Sequence, residues 1–166
     1  LKEFMSETAD AAALYHDLAT ETVDQYDPAT NELVNYHLRR IDTIGANPAQ
    51  LLVLRVLREE LDGDILVELL ERLEKLTFPR RVTDKRVPNE VRAFIKLAHD
   101  AVPAPSTLFE KVADEFDPLQ PSRVEFVQEF SQADWSAGKR TRYVVETLEF
   151  ETFAPTDDRY GGTNPD

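Results

Sequence analysis

A chain of 166 residues with a formal charge of −13 and no cysteine is long enough for one domain, or two small ones, that buries roughly 70% of its unfolded surface. The missing cysteine excludes disulfides, thiolate-bound zinc and a cysteine nucleophile, and fits an intracellular, cytoplasmic setting. The acidity opposes a polyanion as the default partner, and the most apolar region, broken by Arg55, Arg58, Glu59, Glu60 and Asp62, falls short of the ~20 residues that cross a bilayer.

The chain opens on Leu1 and runs straight into helix-forming residues, which reads as a piece of a longer protein. Phe4, Ala11, Leu14, Tyr15 and Leu18 recur at three- and four-residue steps and predict a first helix from about Ser6 to Val23. Asp27 offers an N-cap and Pro28 a first helical position for a second helix, through Leu33, Tyr36, His37, Leu38 and Ile41 to a stop at Gly45. Asn47-Pro48 repeats the device for a third, with Leu51, Leu54, Leu57 and Leu61 inward, ended by Asp62-Gly63-Asp64. A fourth follows with Ile65, Leu66, Leu69, Leu70, Leu73 and Leu76 as its apolar stripe and Glu68, Glu71, Arg72, Glu74 and Lys75 on the other face.

Pro79 and Pro88 bracket a segment that is expected to be irregular or only briefly helical. A fifth helix places Val91, Phe94, Ile95 and Ala98 inward and gives out before Pro103 and Pro105. Thr107 with Glu110 and Ser122 with Glu125 read as capping boxes for two more, carrying Leu108, Phe109, Val112 and Phe116, then Phe126, Val127 and Phe130. A last helix follows Trp135, with Tyr143, Val144 and Leu148 as its apolar stripe; 154–166 reads as a linker or tail. The expectation is an all-α fold, an irregular bundle of about seven or eight helices with short Pro- and Gly-marked turns. It forms one domain over 1–153, or two subdomains meeting at 78/79.

Candidate chemistry is thin. His16, His37 and His99 are scattered without the H-x-x-x-H spacing of a helical metal site. His37 has Asp42 within reach and His99 has Asp100, but no nucleophile completes a triad. Asp62-Gly63-Asp64 lacks the further oxygen ligands of a calcium loop, and Gly161-Gly162 precede no helix or Lys. No catalytic, cofactor-binding or metal-ligating residue is assigned. What stands out is a basic island, with Arg80, Arg81, Lys85, Arg86 and Arg92 close together in an acidic chain. Such a cluster pairs with nearby carboxylates, docks a sister domain, or gives weak local contact to DNA. Lys139, Arg140 and Arg142 at the last helix are further candidates for the same patch.

The run R-T-R-Y-V-V-E-T-L-E from Arg140 resembles the R-x-R-Y helix that precedes the nuclease domain of GmrSD-type restriction proteins, a family directed at modified foreign DNA. L-E-K-L-T-F-P-R-R-V from Leu73, N-E-V-R-A-F-I-K-L from Asn89 and S-R-V-E-F-V-Q-E-F from Ser122 are similar to segments of its helical middle, in the same order. The resemblance covers about Pro48 to Phe150. It implies a helical connector between an N-terminal nucleotide-hydrolysing domain and a C-terminal HNH nuclease, with both flanking domains as partners and no membrane. Neither the D-G-Q-Q-R-like nucleotide motif nor an HNH signature is in this sequence, so no catalytic role carries over. Arg80, Arg81, Arg140, Arg142 and Tyr143 match the recognisable motifs. The alternative from another class is a free-standing acidic helical adaptor or DNA-mimic antirestriction protein.

Overall fold

The computed structural model describes residues 2–85, 90–100, 102, 105–136 and 138–153, with side chains described from 9 to 148. Among these residues the protein is all-α, with no strand. The helices are α1 (Lys2–Thr20), α2 (Pro28–Thr43), α3 (Gln50–Arg58), α4 (Gly63–Val82), α5 (Glu90–Asp100), α6 (Leu108–Phe116), α7 (Arg123–Gln132) and α8 (Lys139–Phe153). Short 3-10 turns lie at Asn47–Ala49, Pro105–Thr107 and Asp117–Leu119. The chain divides into two compact units, Leu1–Gln132 and Ala133–Asp166. The division expected at 78/79 falls inside α4, which continues through it. The segment read as a tail, 154–166, lies outside the described residues.

In the first unit α4 is the hub, packed against α2, α3 and α7. Its Leu66, Leu69, Leu70 and Leu73 are fully buried, as their spacing predicts, and meet Val34, Leu38 and Ile41 of α2 in the core. Each such leucine contributes about 1.5–3 kcal/mol by leaving water, so this seam dominates the stability of the unit. Gly63, read as the stop of the preceding helix, opens α4 instead. A Cβ there would lie 2.5 Å from the Thr30 Cγ2 of α2 and 3.0 Å from the Tyr26 ring, so glycine lets the two helices approach.

Capping explains where several helices begin. Asp27 Oδ1 accepts from the Ala29 and Thr30 amides at 3.0 and 3.2 Å, with Pro28 following, and Asp62 Oδ1 accepts from the Asp64 amide at 3.1 Å. The Ser122–Glu125 box is closed both ways: the Glu125 amide donates to Ser122 Oγ at 3.2 Å and the Ser122 amide to Glu125 Oε2 at 2.8 Å. Thr107 makes no such side-chain cap. Its backbone (φ −113°, ψ 2°) lies in the 3-10 turn rather than the extended region an N-cap uses.

One expectation fails on where a helix ends. α1 stops at Thr20, not Val23, because Glu21 takes a left-handed φ of 57°. The loop that follows is held by asparagine amides: Asn35 Oδ1 and Nδ2 bond the Val23 amide and carbonyl, and Asn31 does the same at Tyr26. The segment after Pro79 is only briefly helical, as expected: α4 runs on to Val82 and a turn follows at 83–84. Proline removes the bond to the Lys75 carbonyl. Side chains gather at the next carbonyl, where Leu76 O accepts from Arg80 Nε at 2.8 Å and Gln120 Nε2 at 3.0 Å.

The inward stripes of four other helices are rotated from the expected ones. α2 leaves Leu33 exposed; α3 buries Leu52, Val53, Val56 and Leu57 and leaves Leu51 exposed. α5 buries Ala93, Phe94 and Leu97 between α3 and α6, leaving Val91 and Ile95 exposed. In α7 Val127 is exposed, while Phe126 stacks edge-on to Phe78 of α4, centroids 6.2 Å apart. Spacing by leucine alone passes over Val53, Val56 and Ala93, which are equally apolar and are chosen by neighbours on two sides. In the second unit Tyr143 is buried, but Leu148 is exposed. Thr147, one turn after Tyr143, stands on the half-buried side and bonds the Tyr143 carbonyl at 2.7 Å, which turns Leu148 about 100° away.

Candidate interaction surface

The basic island is taken up largely by internal contacts. Arg80 of α4 is 3% exposed. Its guanidinium lies over the Phe116 ring of α6, 4.8 Å from the centroid, and reaches Thr77 Oγ1 and, at 3.6 Å, Glu90 of α5. Burial lowers its pKa, with the Glu90 charge acting the other way. Arg81 Nη2 donates to Glu90 Oε2 and to the Gly45 carbonyl, both at 2.9 Å. Two arginines on one carboxylate thus clip α5 and the end of α2 to α4. Lys85 reaches both oxygens of Glu125 at 3.0 Å. The capping amide and the Lys85 ammonium together hold the Glu125 carboxyl down at about 2.

Arg86 lies outside the described residues. Arg92 is exposed on α5. Lys139, Arg140 and Arg142 belong to the second unit, all exposed, and Arg142 Nε donates to Glu146 Oε1 at 2.6 Å, one turn along α8. That pair raises the Arg142 pKa.

The most densely charged place in the interior is one that the sequence reading missed. At the α2–α4 seam, Glu74 accepts from Arg40 Nε at 2.7 Å and faces His37 Nδ1 at 2.5 Å. Arg40 also stands over the Tyr36 ring at 5.1 Å. The helical spacing puts Glu74 on the solvent face, whereas in the structure it is 5% exposed. A signal was present: Glu74 stands four residues after Leu70 and three before buried Thr77, an inward position held by a carboxylate, which demands a cationic partner.

Among the depressions on the surface of the first unit, two bear on function. An open cleft of about 920 Å³ lies between α1, the 21–26 loop and the α3–α4 turn, with Asp10, Tyr26, Arg58, Glu60 and Asp62 on its walls. Tyr26 Oη donates to the Leu61 carbonyl at 3.2 Å; burial, and then the Asp62 charge, raise its pKa. The second is a groove of about 570 Å³ between α3 and α5, floored by Leu51, Leu54, Ile95 and Ala98 and edged by Arg55, Arg58 and His99. Among the described residues no group of three His, Asp or Glu side chains is placed to hold a metal ion, and no helix is long and apolar enough to cross a membrane.

No protein-family model matches the chain, and neither a curated protein nor a solved structure does.

Proposed function

We propose that this chain is a helical connector that works by binding protein domains on either side of it. In the form the motifs suggest, it is the middle of a GmrSD-type restriction protein, joining a nucleotide-hydrolysing module to an HNH nuclease. The observation that supports this reading is the fate of the basic island. Arg80 is buried over Phe116, Arg81 shares Glu90 with it, and Lys85 is tied to Glu125. Charges spent on joining α4 to α5 and α7 stiffen the domain, as a spacer requires, and leave little local cation to neutralise a phosphate backbone against a net charge of −13.

The test uses the purified chain with separately produced nucleotide-hydrolysing and HNH modules of this restriction type. The expected result is retention of one or both modules by the immobilised chain, with no nucleotide hydrolysis, no nicking of modified DNA and no DNA mobility shift at ~150 mM salt by the chain alone. Hydrolysis or nicking by the chain overturns the reading. Displacement of DNA from a basic protein, without retention of either module, transfers it to the acidic DNA-mimic class.

A further inference from the structure

We infer that the groove between α3 and α5 is a docking site for an acidic amphipathic helix of a partner protein. This rests on the protein-binding part of the reading above and adds the chemistry of what is bound. On the α5 wall Ile95 is 54% exposed and on the α3 wall Leu51 is 39% exposed; Val91, one turn before Ile95 on α5, is 50% exposed. Val91, Ile95 and Ala98 form one stripe at i, i+4 and i+7, about 10 Å long at the helical rise. That length suits two turns of a partner helix presenting its own i, i+3/i+4, i+7 anchors. These side chains are not needed by the core, because α3 and α5 already bury Leu52, Val53, Val56, Leu57, Phe94 and Leu97.

Charge selects the occupant. Arg55 at the edge is paired with Glu59 at 2.6 Å, and Asp100 is bonded to His99 Nδ1 at 2.6 Å. Lys96 leans away to Glu115 of α6. Arg58 and Arg92 remain, both exposed and in no ion pair among the described residues. Arg58 edges the groove directly, and Arg92 lies on the Ile95 and His99 face of α5 at i, i+3 and i+7. An apolar floor with a net cationic rim, in a protein of charge −13, complements a helix with leucine-like anchors and Asp or Glu flanks. A second copy of this chain is a poor fit, since a two-fold contact through the groove would bring two cationic rims together. DNA gains nothing from an apolar floor.

The probe is a fluorescent peptide of about 15 residues with Leu at one-face spacing and Glu elsewhere, compared with the same peptide carrying Lys in place of Glu. Anisotropy is read at ~150 mM salt, where charges more than ~8 Å apart are screened. The Glu peptide is expected to bind at least ~10-fold tighter than the Lys peptide. Ile95→Asp should abolish that binding and the double change Arg58→Glu, Arg92→Glu should remove the preference for Glu, while Val124→Asp on α7 leaves both intact. Circular dichroism checks each variant, with Ile95→Ser replacing Ile95→Asp if the latter loses helix. Equal affinity for the two peptides, no binding, or binding indifferent to Ile95 overturns the assignment. So does self-association in sedimentation that Ile95→Asp removes, which gives the groove to a second copy. Retention of the flanking modules by Ile95→Asp as well as by the parent chain removes the groove but leaves the connector; loss of retention by both removes the connector.

Discussion

Two helix seams of the first unit treat polarity in opposite ways. Between α2 and α4 a carboxylate, a guanidinium and an imidazole are sealed inside, while between α3 and α5 leucine and isoleucine side chains stand in an open groove. The closed seam gains its strength from the leucines around the cluster, and Glu74, Arg40 and His37 add direction: only one register of α2 on α4 brings all three together. The open seam has the reverse logic. Its buried faces already hold α3 to α5, so the apolar side chains left outside contribute little to folding and are available for another surface.

Breaking the closed seam has the largest effect expected. Glu74→Ala takes from Arg40, 5% exposed, the carboxylate at its Nε and leaves His37 only the more distant Glu71 at 4.0 Å, and removing one partner of a buried ion pair costs about 3–5 kcal/mol. Urea denaturation of the variant should show this loss with an unchanged slope; a loss below 1 kcal/mol would mean that the seam tolerates water. Next comes Gly63→Ala, where the new methyl meets Thr30 Cγ2 at 2.5 Å and the Tyr26 ring. Forcing α4 off α2 should cost about 1–3 kcal/mol by the same measurement. Pairing it with Thr30→Ser, which removes the opposing methyl, should recover part of the loss.

How much of this was legible beforehand follows from how local each feature is. The all-α class, the α2 cap at Asp27-Pro28, the α4 leucine stripe and the Ser122–Glu125 box depend on residues within one or two turns, and all are found in the structure. Which face of α3 or α5 turns inward depends on neighbours far along the chain, and there spacing by leucine chose Leu51, Val91 and Ile95, all three exposed. The same misplacement has a physical meaning: a helix with more apolar residues than its core face can hold puts the surplus outside, and here the surplus of two helices meets in one groove. The Glu74 partnership spans 37 positions to His37 and 34 to Arg40, beyond any local pattern. The basic island was visible as composition, yet its burial was not, since Phe116 and Glu90 reach Arg80 only through the packing of α5 and α6 on α4.

An exposed charge pair gives a smaller effect than the buried cluster and tests the same contrast by pH. Glu125 titrates at about 2 rather than its ordinary 4.5, because the Ser122 amide and Lys85 favour its charged form. A folded-state value below the unfolded one means stability that is present in full above about 4.5 and lost as pH falls toward 2. The urea midpoints of the parent and Glu125→Ala should therefore differ at neutral pH and converge on acidification through that window. A difference that persists below it would assign the effect to helix propensity instead.

The smallest effect is the most discriminating. Ile95→Ser removes an apolar side chain that is 54% exposed, and a surface change of this kind moves stability by no more than about 0.5 kcal/mol. If α3 and α5 hold together through Phe94, Leu97 and Val53, the urea midpoint stays where it was. A loss of about 2 kcal/mol would instead be the signature of a buried aliphatic side chain, and Ile95 would belong to the core. An isoleucine that can be removed without cost to the fold, on a helix whose other face is fully packed, has its use outside the chain.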